Sequence, residues 1–305
     1  MSEKQWMDTL EPALCAIGCV TRRAAPMAAY TTFKIGGPAD LLVSVGDEAG
    51  LQKALGLCRA AEVPVLLLGN GSNLLVSDAG VRGAVLRLAG AFREIRLSGE
   101  TGLVCGAGAS LSAVCVFARE HALSGLEFAY GIPGTAGGAA FMNAGAYGGE
   151  MKDVLSQCRH LLPDGTAGAL SGEALGLSYR HSAYAENGAA ILSLELSLQA
   201  GDRAEISAKM DDFMGRRRQK QPLEFPSAGS VFKRPEGHFA GALIEKCGLK
   251  GKRIGGAQVS EKHAGFIVNC GGATCADVRA LIALIQETVL RECGVALECE
   301  VRMLG

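Results

Sequence analysis

Two glycine-rich segments, a Tyr-Arg-His-Ser run, a serine in a Gly-flanked turn and a carboxylate near the C-terminus are where this chain could do chemistry. The first segment is Ile132-Pro133-Gly134-Thr135-Ala136-Gly137-Gly138-Ala139-Ala140-Phe141-Met142-Asn143, continuing into Ala144-Gly145-Ala146. So little side chain leaves the peptide N–H groups open to a large ligand. A Gly/Ala seam between helices would look similar, but Thr135 and Asn143 supply polar groups that a seam does not need. The second segment, Gly69-Asn70-Gly71-Ser72-Asn73, follows the apolar run Val63-Pro64-Val65-Leu66-Leu67-Leu68. Alone it reads as a tight turn. Placed after a buried strand, its N–H groups could form an anion nest. Two such cradles suit a ligand with more than one polar end, such as a dinucleotide with its pyrophosphate. The second is not a Rossmann fingerprint: Leu74 stands where the third glycine belongs, and Gly106-Ala107-Gly108 fails in the same way at Leu111. No Walker motif occurs.

Tyr179-Arg180-His181-Ser182 joins an Arg to a His. An isolated Arg is most often a solvated charge or a surface ion pair; its chemical use would be forked recognition of a carboxylate or phosphate. His181 is weak evidence for a base and stays outside the catalytic set. The histidines show no metal-ligand spacing. Ser230 sits in Pro226-Ser227-Ala228-Gly229-Ser230-Val231-Phe232-Lys233, which is not a G-x-S-x-G elbow. It is either a capping hydroxyl or one exposed to a ligand. Glu300 and Glu298 share one face of an alternating segment, and alternation cannot separate them. Arg216, Arg217, Arg218 and Lys220 end a helix, where cations favour the dipole. With so few aromatics nearby, they suit a small diphosphate better than nucleic acid.

These residues need elements to hold them. A helix is expected over 47–62, with Asp47 as cap and Leu51, Leu55 and Cys58 on one side. A strand at 64–68 leads into the 69–73 turn. Short β segments follow at 83–88, 92–97 and 102–106, then a helix capped by Ser110 and reaching about Ala122. Strands are expected at 153–162 and 190–199, the latter alternating as a half-buried strand does. Near 200 the composition changes. Helices are expected at 202–220, stopped by Pro222, and at 239–247, with a β segment near 264–269. Thr274 and Asp277 form a capping box for a helix over 275–292 that ends at Gly294. Residues 295–303 alternate as a strand, with Val295, Leu297, Cys299, Val301 and Met303 on one face.

At 305 residues the chain exceeds the size at which one core stops growing, so two or three domains are expected. Lys plus Arg is 30 against 31 for Asp plus Glu, which removes any global bias toward nucleic acid or anionic membrane. The 11 cysteines are scattered, odd in number and without a CxxC pair. Reduced thiols in a cytosolic protein are expected, most of them as small core residues. The amino terminus does not read as a secretory signal, and no apolar run is long enough for a membrane helix. The pattern is α+β.

Together these motifs resemble the MurB family, the UDP-N-acetylenolpyruvoylglucosamine reductases of peptidoglycan synthesis. The likeness runs from Tyr30-Thr31-Thr32-Phe33-Lys34-Ile35-Gly36-Gly37-Pro38-Ala39-Asp40 through Leu68–Leu75, the 131–149 block, Tyr179–Ser182, Lys220-Gln221-Pro222, Ala228–Lys233 and Ile254-Gly255-Gly256-Ala257-Gln258-Val259 to Leu297–Arg302. The wording of 226–269 resembles the shorter, type II class. The resemblance implies a two-subdomain FAD-binding unit of the vanillyl-alcohol-oxidase type, over 1–78 and 79–202, and a substrate-binding domain over 203–305. It leaves open whether the last strand, 295–305, returns to the FAD unit. It implies non-covalent FAD, with the pyrophosphate on Gly69, Asn70, Gly71, Ser72 and Asn73. The flavin would lie on Gly131, Pro133, Gly134, Thr135, Gly137, Gly138, Ala139, Asn143 and Ala144. NADPH is the implied reductant. Arg180, Ser230 and Glu300 match the catalytic set, with Tyr179, Arg217, Lys220 and Gln258 toward a nucleotide-sugar substrate. Cys299 stands where many relatives carry Pro. The expected setting is cytoplasmic, with no metal, nucleic acid, membrane or obligatory protein partner. The competing readings are an FAD oxidase of alcohols or sugars and a nucleotide-binding module without catalysis.

Overall fold

The structure, a computed structural model, describes residues 5–305. The chain forms two compact units. Among the described residues, one comprises 5–23, 41–69 and 83–215, and the other 24–40, 70–82 and 216–305. The chain leaves the first unit inside the glycine loop, between Gly69 and Asn70.

The first unit holds two sheets. In the four-stranded sheet the order is Val20–Pro26, Pro38–Val45, Val81–Leu88, Val65–Leu68, and the last two strands run parallel. Helices Gln5–Ala16 and Glu48–Ala60 supply Met7, Leu10, Leu14, Leu51, Ala54 and Cys58 to the core, with Leu41, Val43 and Val45 from the sheet. Asp47 starts the second helix as expected: its carboxylate accepts from Gly50 N at 2.7 Å. The five-stranded antiparallel sheet runs Ala167–Ser171, Leu155–Leu161, Ala190–Ser197, Gly102–Gly106, Ile95–Ser98. Strand Ala190–Ser197 does not alternate from its start. Ala190, Ile191 and Leu192 are all buried, because Ala190 and Leu192 join one core and Ile191 the other. Ser110 does precede the helix Leu111–Glu120, but its side chain makes no capping bond. The Leu111 N–H donates to Gly134 O, from the glycine-rich stretch.

The second unit packs the antiparallel sheet Ser227–Ser230, Phe266–Asn269, Ala257–Val259, Arg253–Ile254 under helices Ala240–Lys246 and Cys275–Cys293. The capping box forms as read: Thr274 Oγ1 accepts from Asp277 N, and Asp277 Oδ2 accepts from Thr274 N, both at 3.0 Å. Gly294 closes the helix in the left-handed region. Asp78, unassigned from sequence, adds a second cap by accepting from Cys275 N and Ala276 N.

The C-terminal segment departs from expectation. Only Arg302–Leu304 is a strand, pairing in parallel with Leu74–Val76. Before it the chain bonds a different partner, with Lys233 N donating to Glu298 O and Glu300 N to Val231 O. A segment that changes partner midway cannot keep one alternating face. Leu297 and Val301 are buried, while Met303 is 46% exposed. Among the described residues, no helix is long and apolar enough to cross a membrane.

Candidate active site

The glycine loop after Val65–Leu68 turns on Gly71, whose φ is +59°. A Cβ there would meet Tyr30 O at 2.5 Å, so only glycine fits. Thr32 N donates to Gly71 O. Among the described residues, no acceptor takes the N–H of Asn70, Gly71 or Ser72. Consecutive free N–H groups around a left-handed residue are the makings of an anion nest. Asn73 anchors the loop's end: its Nδ2 donates to Glu300 O at 3.2 Å, and its carbonyl accepts from Arg302 N at 3.0 Å.

The glycine-rich stretch folds as the short helix Ala136–Phe141, with Thr135 as N-cap accepting from Gly138 N. Its first donors are engaged internally, Ala136 N by Ala109 O and Gly137 N by Ala107 O. Gly137 must be glycine for packing, since a Cβ would lie 2.7 Å from that of Ala107. Thr135 Oγ1 lies 2.7 Å from where a Cβ on Gly69 would sit, so the two glycine-rich segments meet there. Asn143 is fully buried. Its Nδ2 donates to Glu150 Oε2 and to Ser178 O, and its Oδ1 accepts from Lys152 N. The amide of Asn143 is therefore spent inside the protein, while the Thr135 hydroxyl accepts from Gly138 N. What this stretch offers a ligand is main chain around Gly131, Pro133 and Gly134, and the exposed Gly138.

Asn143 instead holds the Arg180 turn. Ser178 and His181 exchange backbone bonds at 3.2 Å, which puts Tyr179 and Arg180 at the corner. Asn143 grips Ser178 O from one side, and Ser182 Oγ donates to Phe141 O at 2.8 Å on the other. Arg180 has φ +56°, a position in a turn that normally calls for Gly or Asn. Holding an Arg there costs on the order of 1–3 kcal/mol, a strain that proteins keep where a side chain must be aimed. The guanidinium lies 5.2 Å from the ring centroid of Tyr179, which is 51% exposed. His181 is engaged by Glu186 and by Gly176 O. Asn143→Ala should cost about 3 kcal/mol of unfolding free energy, because it removes three part-buried hydrogen bonds at once. Denaturant unfolding checks this; a loss below about 1 kcal/mol would show that those bonds matter little.

In the second unit, strand Ser227–Ser230 pairs with Phe266–Asn269 through Ser227↔Val268 and Ser230↔Phe266, with a bulge between them at Ala228–Gly229. A bulge re-aims the residue after it, and here that residue is Ser230. Its half-buried hydroxyl donates to Phe232 O at 3.2 Å. Val231 then accepts from Glu300 N at 2.8 Å, and Phe232 bridges Cys299. Ser230, Glu300 and Asn73 thus belong to one hydrogen-bonded cluster, although the sequence places them far apart. The two glutamates also separate. Glu298 points to solvent in a close ion pair with Lys233, while Glu300 is half-buried. Thr32, given no role from sequence, ties its segment to the serine strand by donating to Ser227 O at 2.7 Å.

Of the residues read as substrate contacts, Lys220 is exposed at its helix end and Arg217 is buried. Gln258 has its amide engaged, with Nε2 donating to Gly251 O and Oε1 accepting from Cys270 Sγ. Asn269, which carries no motif, is buried and ties its strand to two other segments: Nδ2 donates to Phe33 O, and Oδ1 accepts from Gly271 N and Ala273 N. An Asn ending an apolar run was its only signal.

Two family models match this chain: an FAD-binding domain over residues 39–171 and the C-terminal domain of UDP-N-acetylenolpyruvoylglucosamine reductase over residues 221–304. A UDP-N-acetylenolpyruvoylglucosamine reductase of Agathobacter rectalis is 49% identical over 291 residues, covering 92% of each chain. That of Clostridioides difficile is 48% identical over 280 residues, again with 92% of each covered. The crystal structure of the reductase from Thermus caldophilus superposes with a TM-score of 0.81 at 38% identity, covering 94% of this chain and 99% of the other. A glycine-loop FAD domain and a reductase C-terminal domain on one chain, alike over nearly its whole length, place this protein in the UDP-N-acetylenolpyruvoylglucosamine reductase family.

Proposed function

We propose that this protein reduces UDP-N-acetylglucosamine enolpyruvate to UDP-N-acetylmuramate, with FAD as cofactor and NADPH as reductant, in peptidoglycan precursor synthesis. The observation that carries the reading is the occurrence of both domain matches on one chain that is 49% identical to a named reductase. Free N–H groups and a left-handed Gly71 in the 70–72 loop fit a pyrophosphate. No Cys or His lies within 69–73 to bond a flavin covalently. The chemistry that FAD supplies when bound is hydride relay from NADPH to C3 of the enolpyruvyl group.

The protein's own groups must then handle the charge and the proton. Arg180, pre-aimed by its strained turn, grips the substrate carboxylate and stabilises negative charge developing there; a fixed cation pays no reorganisation at the moment of reaction. Ser230 gives its proton to C2. An alkanol is a poor acid in water, so it needs a strongly basic carbanion-like partner. The bulge and the bond to Phe232 O fix the Ser230 oxygen, leaving only a hydroxyl rotation. Glu300, in its protonated form, donates a hydrogen bond to the same developing charge. Tyr179, Arg217, Lys220 and Gln258 are assigned to the nucleotide-sugar, Gln258 through its backbone or after releasing its present bonds. The functional partition is FAD binding over 1–78 and 79–202 and substrate binding over 203–305. The pairing of Arg302–Leu304 beside Leu74–Val76 supports a return of the last strand to the cofactor loop. Eleven free cysteines support a cytoplasmic setting.

The direct test is steady-state turnover. Purified protein should be yellow and should oxidise NADPH only when the enolpyruvyl nucleotide is added; a colourless, FAD-indifferent protein would end the reading. Within that assay Glu300→Gln should slow flavin reoxidation by substrate at least ~100-fold, while Glu298→Gln, which only breaks an exposed ion pair, should stay within about 2-fold. Equal effects would remove Glu300 from the chemistry.

A further inference from the structure

The sulfur atoms of Cys247 and Cys293 lie 3.7 Å apart. Both cysteines are unbridged and half-buried. Cys247 is the C-cap residue of helix Ala240–Lys246, and Cys293 is the last residue of helix Cys275–Cys293. These two helices share one core, in which Leu243, Ile244, Ile285 and Val289 are buried. The backbones that carry the two thiols are therefore set by packed helices rather than by loose loops. A disulfide bond of about 2.05 Å requires the two sulfurs to approach by side-chain rotation and a small adjustment. Neither residue has a place in the cofactor, substrate or catalytic assignments above.

We propose that Cys247 and Cys293 form a dithiol–disulfide site, closing by exchange with a low-molecular-weight disulfide. One cysteine, as its thiolate, attacks the small disulfide, forms a mixed disulfide and releases one small thiolate. The other cysteine then loses its proton and attacks the protein sulfur of that mixed disulfide, expelling the second small thiolate. The two cysteines give up two electrons and two protons, and the small disulfide leaves as two thiols. Burial raises the Cys247 thiol above its ordinary range, so closure is slow. The core cysteines are poorer candidates still: burial pushes Cys105 and Cys158 up to about 12 and Cys58 up to about 11. Exposed Cys15 has a Thr21 hydroxyl beside it rather than a second sulfur.

The link would close a loop between positions 46 apart and would clamp the ends of the two helices. That constrains the unfolded chain, so the oxidised form should unfold on the order of 5 °C higher. To test it, the full flavin-loaded protein is incubated with oxidised glutathione, then assayed for free thiols, mapped as unreduced peptides and melted. The expected result is loss of two thiols, a linked peptide carrying Cys247 and Cys293, reversal by dithiothreitol and the raised midpoint. Cys247→Ser and Cys293→Ser, made separately, should each abolish the link and the shift while the reduced enzyme keeps turning over. Stable glutathione adducts at either position without a linked peptide would overturn the proposal. So would linkage of either residue to a different cysteine, or no loss of thiols.

Discussion

With Ser230→Ala, flavin reduction by NADPH should proceed at its normal rate, while product formation falls by ~10²–10⁴, the range for a positioned proton donor. The substitution removes one half-buried oxygen, whose hydroxyl donates to Phe232 O. Alanine is compatible with an extended residue beside a bulge, so stability should change by no more than about 1 kcal/mol. Stopped-flow measurement separates the two half-reactions through flavin absorbance. Near-normal reoxidation of the flavin by the enolpyruvyl nucleotide would remove Ser230 as donor. Slowing of both halves alike would mean that the serine shapes the site rather than supplying the proton.

Arg180→Gly should separate stability from activity. Arg180 occupies a left-handed position at +56° that glycine adopts without strain. The variant should therefore melt no lower than the parent, because relief of about 1–3 kcal/mol of strain offsets the entropy gained by the unfolded chain. Activity should move the other way, with kcat/KM falling ~10²–10³ for loss of a preorganised charge at the developing anion. Arg180→Lys keeps the charge but loses the planar fork and should recover only part of the loss. A lower melting temperature for the glycine variant would make Arg180 a structural residue. Unchanged turnover would leave its strained backbone without a functional account.

Much of the local structure was legible because its causes are local. Asp47, the Thr274–Asp277 box and Gly294 each mark a helix end through bonds spanning three or four residues, and all three behave as read. Ser110 stands at its helix start without a side-chain capping bond, and its backbone pairs instead with Thr135, from another segment. The 295–303 segment failed as a strand for a related reason: it trades Val231 for Asn73 as its partner, and alternation carries no record of partners.

The chain's motifs were enough to name its family, its FAD and its reaction class, since those rest on residue types and their order. Tertiary structure decided which of those residues have groups to spare. It committed Asn143 to bolting the Arg180 turn, sent Glu298 to a surface pair with Lys233 and kept Glu300 beside the serine strand. It also made a bulge aim Ser230 and drew Asn73 to Glu300 O across a separation of 227 residues. A side chain's type states which bonds it is able to make. Which ones it does make depends on what folding brings within about 3 Å, and that is set by packing of segments remote in sequence.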